Sequence, residues 1–339
     1  VGHKAVREAL RDTQTYSSDL QGDSDVRDYR QLPLEVDPPR HHLYRVALAP
    51  YFVKPTIELL IPQFGSHTED LISDFFKGNN LEVSQHLSLP LVMKNLGVIY
   101  SRPQDVEEWI SWGPDVWTAA SKERDGKVLH RYLDAIYEEA INDPKKDIWH
   151  EIARLEIEGR VITHEEFRGI ASVILAGGRD TVVKLITGAI WHFGRNPDDF
   201  EYLRQNPDRI DAAIQELLRF LTPNPAMVRS TVPESTVKEL PDDRYVQISF
   251  LSGNFDETVF EKPFELNIRR ERNPHVSFGF GPHTCIGNHV TEIEARVFIQ
   301  TLLDSGISWE ISESSKIHFY SGPMASVPAE FESLIVRIR

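Results

Sequence analysis

A single cysteine, Cys285, stands in 339 residues. One thiol excludes an internal disulfide and any zinc or iron–sulfur centre built from several cysteines. It fits a reducing compartment, so a cytoplasmic location is expected. Positive charge is also short, with a formal net charge of −15. A balance that acidic argues against nucleic acid or an anionic membrane as a general partner, while leaving room for a local basic face. No apolar run approaches the roughly 20 residues that span a bilayer, so no membrane anchor is expected. The opening Val1-Gly2-His3-Lys4 resembles neither a signal peptide nor an anchor. It lacks an initiator Met and reads as a helix already under way, so further residues upstream are expected. Repeats, low-complexity tracts and interdomain linkers are not visible. Hydrophobic residues at 40% can build a sizeable core, and residues 1–339 are read as one large domain.

The cysteine lies within Phe278-Gly279-Phe280-Gly281-Pro282-His283-Thr284-Cys285-Ile286-Gly287. A helix is expected to follow over Ile286–Leu303, with Val290, Ile293, Val297 and Leu302 at helical spacing. Unpaired N–H groups and the macrodipole at a helix start favour a thiolate. A lone cysteine is more often a buried structural residue. Here Gly279, Gly281 and Gly287 let the backbone turn tightly and pass close to something flat or bulky.

A second stretch breaks local rules. Thr163-His164-Glu165-Glu166 is a capping-box pattern. It opens a helical run from Phe167 to Phe193, with Gly194 as its expected C-terminal cap. At 1.5 Å per residue, roughly 30 residues would cross a whole domain. Ala176-Gly177-Gly178-Arg179-Asp180-Thr181 interrupts its middle. Each glycine costs about 1 kcal/mol there, and an acid beside an alcohol invites polar groups into the interior. A kink would explain the glycines but not the Asp180–Thr181 pair. Such departures mark functional positions.

Other stretches supply charge. Asp37-Pro38-Pro39 is expected to cap and launch a helix carrying His41, His42 and Arg45. His41 and Arg45, four apart, can grip one anion or form a solvated basic turn. Glu216 and Arg219, three apart on a helix expected over Arg209–Leu221 and capped by Asp208, can pair. Surface pairs of that kind are common. Helices are expected over Thr56–Phe76, Leu91–Tyr100, Val106–Ala120 and Val128–Ile141, with Trp109, Trp112 and Trp117 in the core or a pocket wall.

These stretches together resemble the cytochrome P450 superfamily, the haem-thiolate monooxygenases. The cysteine loop meets the family pattern Phe-Gly-x-Gly-x-His-x-Cys-x-Gly at every fixed position, through Phe278, Gly279, Gly281, His283, Cys285 and Gly287. The resemblance implies a mainly α fold with a small β region, holding haem b between the long central helix and the cysteine helix. Cys285 would be the axial ligand of the haem iron. His41, Arg45, Arg229 and His283 would bind the propionates, and Phe278, Gly279 and Gly287 would complete the cofactor contacts. Gly177 and Gly178 would leave room for dioxygen. Thr181 would hydrogen-bond it, and Asp180 would relay protons, held by Arg179 until turnover. Glu216 and Arg219 would form a buried pair locking the cysteine loop, with Arg270 preferred to Arg269 as its basic third member.

The implied reaction inserts one atom of dioxygen into a small to medium apolar substrate. Electrons would come from a ferredoxin- or flavodoxin-type donor with its reductase, since no flavin or iron–sulfur module is encoded here. A monomer is expected. Two stretches depart from the family pattern. Glu239-Leu240-Pro241-Asp242-Asp243-Arg244 replaces the usual Ile-Pro-x-Gly hairpin, and Val290-Thr291-Glu292-Ile293-Glu294 lacks the usual basic residue. Glu292 therefore leaves the donor-docking face open. Competing readings are a peroxide-driven or non-oxygenating haem-thiolate enzyme and a non-catalytic haem-binding or partner-recruiting domain; neither needs the Asp180–Thr181 relay. A dinucleotide fold lacks its third glycine at Thr284, and a cysteine protease lacks a further partner for Cys285 and His283.

Overall fold

The computed structural model describes residues 2–19, 29–78, 81–113, 116, 127–142, 147–231, 245–321 and 326–339. Helices dominate. The first, α1 (His3–Arg11), is followed by α2 (Arg40–Phe52), α3 (Ile61–Lys77) and α4 (Leu89–Ile99). Next come a short helix at Val106–Ser111 and α5 (Lys127–Asn142). Trp109 and Trp112 are buried as expected. Trp117 and the Glu239–Arg244 stretch lie outside the described residues.

Asp37 does not cap α2 with its side chain. The helix starts after Pro39, and the Asp37 carboxylate instead accepts hydrogen bonds from Ser17 Oγ and Ser18 N. It thereby ties α2 to β1 (Tyr16–Ser17), the edge of a three-stranded antiparallel sheet.

The central run is two helices, α6 (His164–Gly177) and α7 (Asp180–Arg195), separated at Gly178–Arg179. The expected capping box is present: Thr163 Oγ1 accepts from Glu166 N at 3.1 Å, and Glu166 Oε2 accepts from Thr163 N at 2.8 Å. Glu166 also accepts from Tyr44 Oη at 2.8 Å and from the Arg40 and Arg160 guanidiniums. Those bonds, Arg160 foremost, hold its carboxyl down to about 2 and join α2 to the start of α6. Gly194 is not the C-terminal cap, because α7 runs on to Arg195. Its missing side chain is needed for packing: an added Cβ would lie 2.6 Å from Trp309 Nε1. That indole donates to Ile190 O at 3.0 Å.

After α8 (Pro197–Gln205), a 3-10 turn at Pro207–Arg209 precedes α9 (Ile210–Leu221), so Asp208 sits in that turn and does not cap the helix. Beside the hairpin β2 (Glu156–Ile157)–β3 (Arg160–Val161), the strands gather in small sheets. β4 (Ala226–Thr231) pairs with β1 on one edge and with β5 (Tyr245–Ser249) on the other, putting Arg229 opposite Val246. A short α10 (Phe250–Asn254) leads towards the cysteine loop, and α11 (Asn288–Asp304) follows it. β6 (Trp309–Ile311) pairs with β9 (Val336–Ile338), and β7 (Lys316–Ser321) with β8 (Ser326–Ser333). The buried apolar residues of α2–α7, α9 and α11 form one contiguous cluster. A satellite of Val6, Leu10, Ile248, Phe250 and Val276 lies under α1. Among the described residues no helix is long and apolar enough to cross a membrane.

Candidate active site around Cys285

The cysteine loop is shaped by its backbone. Cys285 N donates to Phe278 O at 2.8 Å, and Thr284 N and Oγ1 both donate to Gly281 O. Gly279 and Gly281 have φ of +71° and +77°, a region that side chains rarely tolerate. The helix begins at Asn288 rather than Ile286, with Gly287 as its N-cap, so Cys285 precedes the first helical residue by three positions. The expected thiolate bias is present but outweighed. Burial pushes the thiol up, while the Gly287 N–H and the Arg45 guanidinium draw it down.

One cavity collects most of the residues that sequence reasoning singled out. It is bounded by Cys285, Phe278, Gly279 and Gly287 on one side, and by Gly177, Gly178 and Thr181 across from them in the chain's central helices. His41, Arg45, Arg229 and His283 also line it, among apolar side chains such as Leu96, Ile99, Val173, Ile174 and Met227. A Cβ added at Gly177 would meet nothing within 4 Å. Thr181 Oγ1 donates to Gly177 O at 3.2 Å across the helix break. Asp180 is the exception. Its carboxylate is 67% exposed, pairs with Arg179, and does not line the cavity. The interior cost anticipated for that acid is therefore not incurred.

The two arginines and two histidines gather along one edge of the cavity. His41 and His283 have ring centroids 4.0 Å apart, and Ser18 Oγ lies 3.0 Å from His283 Nε2. Burial and then Arg45 push His41 down to about 4. Burial, then His41 and the two arginines, push His283 down to about 3. Burial also lowers Arg45 and Arg229. Among the described residues neither arginine forms an ion pair, although Arg229 donates to Val228 O at 2.8 Å. A buried guanidinium and a half-buried one without carboxylates are costly unless an anion joins them.

Behind the loop lies a polar network. Glu216 and Arg219 are both fully buried, and two hydrogen bonds of 2.8 Å join them. Glu216 also accepts from Arg270 Nε, Asn273 Nδ2 and Asn267 N, each at 2.9 Å. Arg269 pairs instead with Asp199. Arg219 donates on to Asn254 O, Pro263 O and Glu265 O. Sequence reasoning missed Asn254 and Asn273. Asn254 accepts from Val276 N at 2.8 Å and donates to Ser277 Oγ, fixing the chain just ahead of Phe278. The helix read at the N-terminus is α1, but its contact with the loop was not anticipated: its Arg7 and Arg11 guanidiniums lie 3.9 and 4.4 Å from the Phe280 ring centroid. No local pattern signals these residues, because their partners lie far off in the chain.

Comparison with known proteins gives the same picture. The family model described as Cytochrome P450 matches residues 116–330. The chain is 28% identical over 320 residues to a protein named cytochrome P450 127A1 of Sinorhizobium fredii, covering 91% of this chain and 76% of that one. It is 26% identical over 349 residues to the steroid C26-monooxygenase of Mycolicibacterium smegmatis, covering 97% and 86%. Among solved structures, that of "a carbohydrate active P450" superposes with a TM-score of 0.90 at 29% identity, covering 100% of this chain and 91% of that one. Members of this family bind haem and act as monooxygenases. The chain belongs to the cytochrome P450 family.

Proposed function

We propose that this chain is a single-domain haem-thiolate monooxygenase whose axial ligand is Cys285. It oxidises a small to medium apolar organic substrate with electrons from a separate ferredoxin- or flavodoxin-type donor. The observation that carries this reading is convergence: the lone thiol, two arginines, two histidines and a glycine-rich helix break all line one apolar cavity. The fit to haem rests on charge and shape. Arg229 is buried and Arg45 half-buried, and among the described residues neither has an ion pair, which suits two carboxylates on one group. His41 and His283 complete that grip as hydrogen-bond donors. The cysteine loop, with Gly279 at positive φ, gives a backbone that a flat macrocycle can approach closely.

When bound, haem supplies the dioxygen chemistry, and a thiolate ligand pushes electron density that favours O–O cleavage. The residues do the rest. Cys285 would hold the iron as a thiolate, a charge that the Gly287 N–H and Arg45 favour. Gly177 and Gly178 keep space beside the reacting centre. Thr181 presents a hydroxyl to that space, and Asp180 at the solvent edge takes protons from water and hands them inward when Arg179 releases it. The buried Glu216–Arg219–Arg270 group holds the segment that carries the cysteine. Leu96, Ile99, Val173 and Ile174 exclude water and select for apolar surface. The relatives' printed names include a steroid C26-monooxygenase and an erythromycin C-12 hydroxylase, each an oxidation of an organic compound.

Titrating compound collections against the haem-loaded protein tests the substrate class. Apolar compounds of moderate size should produce a substrate-induced spin-state shift. A response confined to charged or strongly hydrophilic compounds would contradict it.

A further inference from the structure

The break between α6 and α7 releases a backbone acceptor inside the protein. An unbroken helix would give the Gly178 N–H to Ile174 O. Here Gly178 N turns back to Ala176 O, and Arg179 N reaches the same oxygen at 3.3 Å. Ile174 is buried, and a buried carbonyl left without a donor is costly. Tyr100 answers that need. Its Oη donates to Ile174 O at 2.5 Å, and both residues line the cavity. Burial raises the Tyr100 hydroxyl, which stays a protonated donor. In a continuous helix this hydroxyl would share one oxygen with the Gly178 N–H; in the broken one it takes that amide's place.

A rigid frame holds the hydroxyl there. Tyr100 closes α4, where its N donates to Leu96 O at 2.9 Å and its O accepts from Trp149 Nε1 at 2.8 Å. At the other end of α4, Ser88 closes the π-helical turn Ser84–Ser88. Its Oγ accepts from Thr187 Oγ1 on α7 at 2.8 Å, and both residues are buried. Between these two bonds the helices nearly touch: a Cβ added at Gly178 would lie 3.2 Å from Leu96 Cδ2. The segment from Ser88 to Tyr100 therefore runs antiparallel along the central pair. It is bonded to α7 beyond the break and to α6 before it, as a splint would be.

We propose that Tyr100 is a positioning residue: its hydroxyl favours the broken helix over the continuous one and so sets Gly177, Gly178 and Thr181 against the cavity. A bond shifts such an equilibrium only by as much as it is stronger in one state, and this one has its acceptor to itself only when the helix is broken. Tyr100 acts through Ile174 O and is assigned no contact with the reacting atoms. The consequence for oxidation rests on the monooxygenase reading, whereas the effect on the break does not.

Tyr100→Phe keeps the ring against Trp149 and removes the donor. In the haem-loaded carbonyl form, with isotope-labelled glycine, the Gly178 amide should return to Ile174 O and exchange its hydrogen several-fold more slowly. A variant that is merely loosened would exchange faster there, so faster or unchanged exchange would overturn the proposal. With an electron donor and a substrate that gives a spin-state shift, peroxide yield per electron pair should rise several-fold while the half-saturating substrate concentration stays nearly the same. Unchanged coupling would overturn the positioning role. Replacing Tyr100 by a fluorotyrosine, a stronger donor of nearly the same shape, guards against a variant that folds poorly. Exchange at Gly178 should then quicken, and slower or unchanged exchange would overturn the proposal. Loss of the thiolate-type carbonyl spectrum in wild type would instead remove the monooxygenase reading and leave the exchange result standing.

Discussion

His41, Arg45, Arg229 and His283 hold positive charge potential in a place that disfavours it. Burial drives both imidazoles to neutrality and lowers both arginines. The sign of the pH effect follows. An unfolded histidine takes up a proton near pH 6.5, whereas His41 resists until about 4 and His283 until about 3. Their contribution to stability is complete above about 6.5. It is lost as pH falls through that range. Haem-free protein should therefore melt at progressively lower temperature as pH falls below about 6.5, and haem-loaded protein should lose less, since propionates would raise both histidines. Equal acid sensitivity with and without haem, read by thermal melts across pH, would contradict the assigned grip. Arg229→Ala should also speed haem loss. Removing a charge-assisted hydrogen bond costs about 1.5–3 kcal/mol, or roughly 10- to 150-fold. Haem transfer to an acceptor protein measures it. Thr181→Ala should divert reducing equivalents to peroxide and lower product formation by about 100-fold or more. Unchanged coupling would deny the hydroxyl its role.

At the scale of the element, the helix break and the cysteine loop were legible because each violates a local rule. Two glycines inside a helix and a glycine-aromatic run before a lone thiol need no tertiary information to be noticed. Their exact setting was less legible. The central run reads as one helix from its apolar periodicity, but the chain divides it at Gly178–Arg179 and carries α7 past Gly194, against which Trp309 packs. Asp37 has the sequence of a cap and serves instead as the acceptor for Ser17 and Ser18, a choice made by a strand twenty residues earlier. Glu216 and Arg219 illustrate the same limit. Their spacing allows a pair, and only the fold shows that Asn254, Asn273 and Arg270 surround it. Opening a buried pair of this kind costs about 3–5 kcal/mol. Glu216→Ala should therefore lose haem incorporation or fold poorly, as judged by haem content per chain. A normally loaded variant would make the pair dispensable.

Over the whole molecule, α2 and α11 share one logic. Each turns one face to the cavity and the other towards the surface. On α11, Glu292 accepts from Gln215 at 2.9 Å and lies 3.4 Å from His289. This carboxylate is therefore engaged by its own surroundings. On the same helix Arg296 is paired with Asp211, so Glu292 and that pair leave little uncompensated positive charge there. Electron transfer from an acidic ferredoxin should accordingly weaken less with added salt than attraction to a strongly basic face would require. A steep loss of rate between low and physiological salt would argue otherwise.

The account depends most on the bond between Cys285 and the haem iron. The direct measurement is the absorption spectrum of the haem-loaded, reduced protein after carbon monoxide is added. A red-shifted, thiolate-type Soret band in the intact protein, abolished in Cys285→Ala, is the predicted result. An imidazole-type band in the intact protein, or a thiolate-type band that survives in Cys285→Ala, would contradict it.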